Sequence, residues 1–207
     1  MSWDWSSFIG DPECIKWSRR DLESLEAALK LLPGRTAAVQ AGGNVGLFPK
    51  RLAEEFTTVY TFEPDRTLFD AMVHNAPATN IVMMQAALGY ERKPVRLECT
   101  RRDGSKKPVH AGLTHVAGDG VVPILRIDDL ALPDCDLIYL DVEGWELQAL
   151  LGAHFTIRTC RPVIAVEINK GIQYAGSSPE ELRQLICGYG YSLAIKMHSD
   201  EIYTPGV

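Results

Sequence analysis

The residues best equipped for chemistry are acids. Asp141 and Glu143 stand two apart at the end of the apolar run DLIYLDVE (136–143). On an extended segment that spacing turns both carboxylates the same way. Either then suits removal of a proton from a hydroxyl nucleophile, and together they offer oxygen ligands to a divalent metal that would lower the acceptor's pKa. The plainer alternative has Asp141 orienting a cofactor and Glu143 favouring the N-terminus of the next helix. Glu167 closes a later run, PVIAVEI (162–168), and is a candidate for acceptor binding or for a buried ion pair. Glu146 reads as helix surface or cap. His110 and His115 read as loop residues, with a base or lid role as the alternative.

A second constellation lies upstream. Val39-Gln40-Ala41-Gly42-Gly43-Asn44-Val45-Gly46 joins an apolar strand to a helix, and its glycines let backbone approach a ligand closely. Glu63 stands seventeen residues past Gly46, at the end of the next strand. In a βαβ nucleotide site an acid there accepts hydrogen bonds from ribose hydroxyls. A dinucleotide fingerprint would need glycine at position 41, which is Ala41, so GxGxxG is incomplete. Gly42-x-Asn44-x-Gly46 is a period-two loop that suits a nucleoside without a pyrophosphate.

The elements that must position these groups alternate. TAAVQA (36–41), TTVYTFE (57–63), NIVMMQAAL (80–88), DLIYLDVE (136–143) and PVIAVEI (162–168) read as strands, nearly all apolar, as in a parallel sheet buried on both faces. Helices lie between them; Asp65 and Ser178 stand at N-cap positions, with Glu181 completing a capping box. YSLAIKM and EIYTP read as a terminal antiparallel hairpin. Residues 89–127 have another texture: PVRLECT and VVPILRI, with a turn at Asp103-Gly104, alternate polar and apolar. The expected fold is a doubly wound α/β domain spanning 1–207. Its mainly parallel seven-stranded sheet carries an N-terminal arm and helix (1–34) and a β-rich insertion (89–127) beside the acceptor site.

The formal charge of −6 disfavours a nucleic acid partner. Seven basic residues between Arg92 and Lys107 leave that partner open locally, although a solvated hairpin surface is the simpler reading. Five scattered cysteines without CxxC spacing suit reduced thiols in the cytoplasm. No apolar run is long enough for a membrane span, and the N-terminal segment lacks a secretory pattern. Trp3, Trp5 and Trp17 read as packing residues of the arm.

VQAGGNVGLF (39–48), FEPD (62–65), AALG (86–89), IDDL (127–130), LDVEGWELQALLGA (140–153) and RPVIAVE (161–167) together resemble the FkbM family of class I methyltransferases. The resemblance implies transfer of a methyl group from S-adenosylmethionine to an oxygen of a sugar or other small acceptor. It implies cofactor contacts from the loop (Gly42, Gly43, Asn44, Gly46), a ribose contact from Glu63, adenine beside Gln85, Ala86 and Ala87, and a cofactor or catalytic role for Asp141. The family usually carries an acid where this chain has Gln40. An amide still hydrogen-bonds the cofactor's ammonium but offers no charge. That departure keeps a non-catalytic cofactor-binding protein in view, with a nicotinamide-dependent oxidoreductase as the third reading.

Overall fold

The structure, a computed structural model, describes residues 8–9, 22–99, 114–168 and 176–206. Seven strands form one sheet: β1 (Ala37–Ala41), β2 (Thr58–Phe62), β3 (Ile81–Met84), β8 (Leu137–Leu140), β9 (Val163–Glu167), β10 (Tyr191–Met197) and β11 (Asp200–Pro205). Their order is β10-β11-β9-β8-β1-β2-β3. All neighbours pair in parallel except β11, which runs antiparallel to both β9 and β10. The terminal hairpin expected from YSLAIKM and EIYTP is therefore present, with β10 bounded as that run is.

Period-two side-chain alternation divides the apolar runs between two cores. Val39, Ile138, Leu140, Ile164 and Val166 face α4 (Glu146–Leu151), α5 (His154–Cys160) and α6 (Pro179–Gly188). Ala38, Leu137, Tyr139, Val163 and Ala165 face the opposite side, covered by α1 (22–29), α2 (Leu47–Ala53) and α3 (Arg66–Asn75). Local signals set the helix ends. Asp65 accepts the N–H groups of Thr67 and Leu68 at 2.9 and 3.0 Å, and Ser178 with Glu181 forms the capping box. Chain order reverses between β1 and β8, so a crevice opens outside their carboxyl ends, where ligands bind in open α/β sheets. Among the described residues no helix is long and apolar enough to cross a membrane.

The third run departs from the sequence reading. β3 ends at Met84 and lies at the sheet edge, with Val82 43% exposed rather than buried. The chain then leaves the sheet, and Ala87–Leu88 forms β4, paired in parallel with β7 (Ile124–Leu125). The insertion is β-rich. PVRLECT supplies β5 (Val95–Cys99), whose antiparallel partner is β6 (Thr114–Asp119), with one further antiparallel bridge from Val95 to Val122 of VVPILRI. That latter run gives only β7 before Ile127–Leu130 turns into a 3-10 helix. Pro123 cannot donate to a ladder, which shortens the strand. Asp103-Gly104, His110 and the three arm tryptophans lie outside the described residues.

Candidate cofactor crevice and active site

The glycine loop sits at the fork where β2 and β8 part from β1. The N–H groups of Gly42 and Gly43 both donate to the Phe62 carbonyl, at 3.1 and 2.9 Å, while Asp141 N–H donates to Ala41 O at 3.1 Å. Gly42 and Gly46 have φ of 85° and 93°, and Asn44 has 47°, which confines the loop to residues tolerant of that region. A Cβ on Gly42 would stand 1.9 Å from the Asp141 carbonyl oxygen, and one on Gly43 2.4 Å from Met72 Sδ. The loop is thus pressed on the end of β8 and on α3.

Glu63 ends β2 beneath this loop. It is 5% exposed; one oxygen accepts Asn44 N–H and the other Asp65 N–H, both at 2.8 Å. Burial, opposed by those two donors, pushes its pKa up to about 7. Each carboxylate oxygen has a second lone pair, so these bonds leave room for ribose hydroxyls. The Asn44 side-chain oxygen is buried without a hydrogen-bond partner, an acceptor held ready in the loop. Ala86 and Ala87 are buried beside the crevice, whereas Gln85 is exposed.

Gln40 lies elsewhere. It is fully buried on the α2–α3 side of the sheet, with Nε2 donating to Gly42 O at 2.8 Å and Oε1 accepting from Thr61 Oγ1. Its amide braces the loop from below, and it does not line the crevice as a ligand for the ammonium would.

On the other side of the fork, Asp141, Glu143 and Glu167 bring carboxylate oxygens within 4.8 Å of one another, all three half-buried. Glu143 has φ of 53°, and Gly144 follows at 99°, so the chain turns sharply as it leaves β8. Ser199 Oγ donates to Glu167 Oε1 at 3.1 Å. The spacing of the three acids suits a divalent cation or a cofactor ammonium equally. The turn itself is held by Glu146, which is 1% exposed. Its Oε1 accepts the N–H groups of Val142 and Gly144 at 3.0 and 3.2 Å. Desolvation raises its pKa to about 7, with Glu167 adding charge repulsion. Glu146 is buried and not helix surface, and the cap alternative fits it: from the first position of α4 its carboxylate accepts the N–H groups of the turn that enters the helix.

Over this end of the sheet lies the β5–β6 ribbon. A narrow apolar slot, with a cavity of only about 40 Å³, runs from Phe62 and Ala86 to Leu97, Thr114 and Val116 of the ribbon, with Trp145 also on its wall. A more open groove of about 290 Å³ adjoins it, sharing Val116 and Trp145 and edged by Tyr90, Lys93, Asp119 and Gln148. The described part of the basic cluster is neutralised internally: Arg92 pairs with Asp129, Lys93 with Asp119 and Arg96 with Glu98. His115 is half-buried on β6.

The model of the FkbM methyltransferase domain matches residues 40–193, from the glycine loop into the start of the terminal hairpin's first strand. The chain belongs to this family. Among solved structures, this FkbM domain is similar to an FkbM methyltransferase from Methylobacillus flagellatus, with 19% identity and a TM-score of 0.54 over 82% of the chain. The chain spans 43% of that protein's length. It also resembles a precorrin-6y C5,15-methyltransferase from Geobacter metallireducens, with 12% identity, a TM-score of 0.57 and coverage of 99% and 97% of the two chains. A third likeness is to a Synechocystis magnesium protoporphyrin IX methyltransferase with bound S-adenosylhomocysteine, at 12% identity, TM-score 0.52 and 93% and 84% coverage. No curated protein sequence matches significantly. At such identities the structural likenesses establish the class I methyltransferase fold. Family and fold together support an S-adenosylmethionine-dependent methyltransferase. The positive-φ loop, the acid beneath it and the orphaned Asn44 oxygen fit that cofactor in the FkbM domain.

Proposed function

We propose that this FkbM domain methylates a hydroxyl oxygen of a small acceptor, such as a sugar, using S-adenosylmethionine. The observation that carries the reading is the convergence of Asp141, Glu143 and Glu167 within 4.8 Å, across the fork from the glycine loop. Bound there, the cofactor supplies an activated methyl group on a sulfonium. Glu63 and the loop residues Gly42, Gly43, Asn44 and Gly46 hold its ribose and methionyl parts, with Ala86 and Ala87 beside the base. Asp141, against whose carbonyl Gly42 packs, faces the ammonium. Glu143 is the general base and Glu167 orients the acceptor. As the acceptor oxygen takes the methyl group from the bound sulfonium, its proton would pass to Glu143, with Glu167 holding the acceptor in line. The open groove beside Trp145 receives the rest of the acceptor, its mixed polar edge suiting a hydroxylated molecule. The internal pairing of Arg92, Lys93 and Arg96 disfavours a polyanion.

The test is calorimetry with S-adenosylhomocysteine and NAD, followed by methyl transfer from labelled cofactor to a panel of sugars and small alcohols. Glu143→Gln should bind S-adenosylhomocysteine normally and lose about 10²–10⁴-fold in kcat. Asp141→Asn should weaken cofactor binding, and Glu167→Gln should raise the acceptor KM. Methylation only of nitrogen or carbon acceptors would overturn the hydroxyl assignment. Binding of NAD in place of S-adenosylhomocysteine would overturn the cofactor.

A further inference from the structure

The slot under the ribbon begins one residue from Glu63, because its neighbours Phe62 and Pro64 both line it. A base attached to a ribose held by Glu63 therefore enters this slot. Its lining is otherwise apolar, yet it includes two residues with buried polar atoms lacking a hydrogen-bond partner: the Thr114 hydroxyl and the Trp145 indole N–H. Leaving such atoms unmade costs about 1–3 kcal/mol each, and in a native site they call for an explanation. A flat apolar slot with a few polar groups is complementary to an aromatic heterocycle. Indole N–H is a donor only, so its partner must be an acceptor such as a ring nitrogen; a hydroxyl both donates and accepts.

We infer that the β5–β6 ribbon belongs to the cofactor site, with Trp145 N–H donating to a ring nitrogen of the adenine and the Thr114 hydroxyl bonding its polar edge. This rests on the S-adenosylmethionine reading and assigns the ribbon to the cofactor, where the sequence had suggested the acceptor. The slot's cavity is about 40 Å³, less than a purine fills, so entry of a base displaces the ribbon side chains Leu97 and Val116 outward. These belong to a small satellite cluster with Ala87, Val95 and Ile124, apart from the two main cores, which makes the ribbon the wall that yields.

The experiment compares Thr114→Val and Trp145→Phe with the wild-type chain, using S-adenosylhomocysteine and adenosine as ligands. Each variant should lose about five- to tenfold in affinity for both ligands, since both carry the base. Thr114→Val should melt at the wild-type temperature or above it, because an orphaned buried hydroxyl has been replaced by a methyl of the same shape; Trp145→Phe also removes ring volume and should melt somewhat below it. Hydrogen exchange across 95–99 and 114–119 should change when S-adenosylhomocysteine binds the wild type. Either variant binding S-adenosylhomocysteine as tightly as wild type overturns the assignment and leaves the cofactor reading intact. Weakened S-adenosylhomocysteine binding with unchanged adenosine binding also overturns it, by moving the effect to the methionyl part. Failure of the wild type to bind either ligand overturns it together with the cofactor reading.

Discussion

One oxygen of Glu63 accepts the backbone N–H of Asn44 at 2.8 Å, so the acid that ends β2 also sets the glycine loop connected to β1. The same carboxylate is therefore both ligand and loop support. Glu63→Ala should weaken S-adenosylhomocysteine binding by about 10–100-fold, the range for losing hydrogen bonds to a charged group. Its pKa near 7 in the free protein adds a pH signature. Ribose hydroxyls donating to the ionised oxygens lower that pKa, so binding below pH 7 releases a proton. Affinity should then rise between pH 6 and 8, by at most about tenfold per unit, and Glu63→Gln should flatten the profile. A pH-independent wild-type affinity would remove Glu63 from the ribose.

Glu146 stands in the same relation to the DVEG turn that Glu63 has to the loop. Removing its side chain leaves the N–H groups of Val142 and Gly144 without their acceptor. Glu146→Ala should cost about 1–3 kcal/mol, seen as a lower denaturant midpoint. The two buried acids also make stability fall as pH rises. Below about 4.5 folded and unfolded forms are both protonated and nothing is lost; as pH climbs through about 7 the folded protein gives up protons that burial had retained. Melting temperature should therefore decline from pH 5 to pH 8 in so far as these groups govern it. Glu146→Gln, which keeps an oxygen acceptor, should show a shallower decline; an unchanged slope would mean that Glu146 does not titrate in this range.

What the sequence disclosed was local. Ser178-x-x-Glu181 and Asp65 cap the helices they precede, and the runs at β1, β8 and β9 became central strands because only a doubly covered sheet hides so many consecutive apolar residues. The family motifs likewise marked the loop, Glu63 and the DVEG turn. What stayed hidden was direction and partner choice. Position 40 could point to either face, and only the packing of Thr61 and Met72 on the α3 side shows which. Ala87-Leu88 looked like a continuation of β3 because composition cannot tell which sheet a strand joins. Glu146 looked like helix surface because the turn before it, at positive φ, is what carries its side chain inward.

Gln40 invites reversion to the acid usual in the family, and its surroundings argue against a gain. Its Nε2 donates to the Gly42 carbonyl, a bond that a carboxylate cannot make. Gln40→Glu would set a buried charge against that carbonyl, with Thr61 Oγ1 the one donor to it among the described residues. Stability should drop by about 1–3 kcal/mol, and S-adenosylhomocysteine affinity should stay level or fall. Tighter binding in the variant would show that the side chain reaches the ammonium after all.

Gly42 is where the two halves of the site meet, since its added Cβ would fall 1.9 Å from the Asp141 carbonyl oxygen. That neighbour is backbone in the middle of the sheet: Asp141 N–H is tied to Ala41, so it cannot swing aside as a flexible side chain would. Gly42→Ala must either push the end of β8 away from β1 or force the loop out of its φ of 85°. Both routes displace Asp141 relative to Glu63, one of them through the sheet and the other through Asn44. The variant should lose about 2–4 kcal/mol of stability from strain and broken packing and bind S-adenosylhomocysteine at least about tenfold more weakly. Gly188→Ala is the matched control, because a Cβ there meets nothing within 4 Å; it should leave affinity unchanged. Equal affinities for the two variants would mean that the crevice does not depend on the contact between Gly42 and the end of β8.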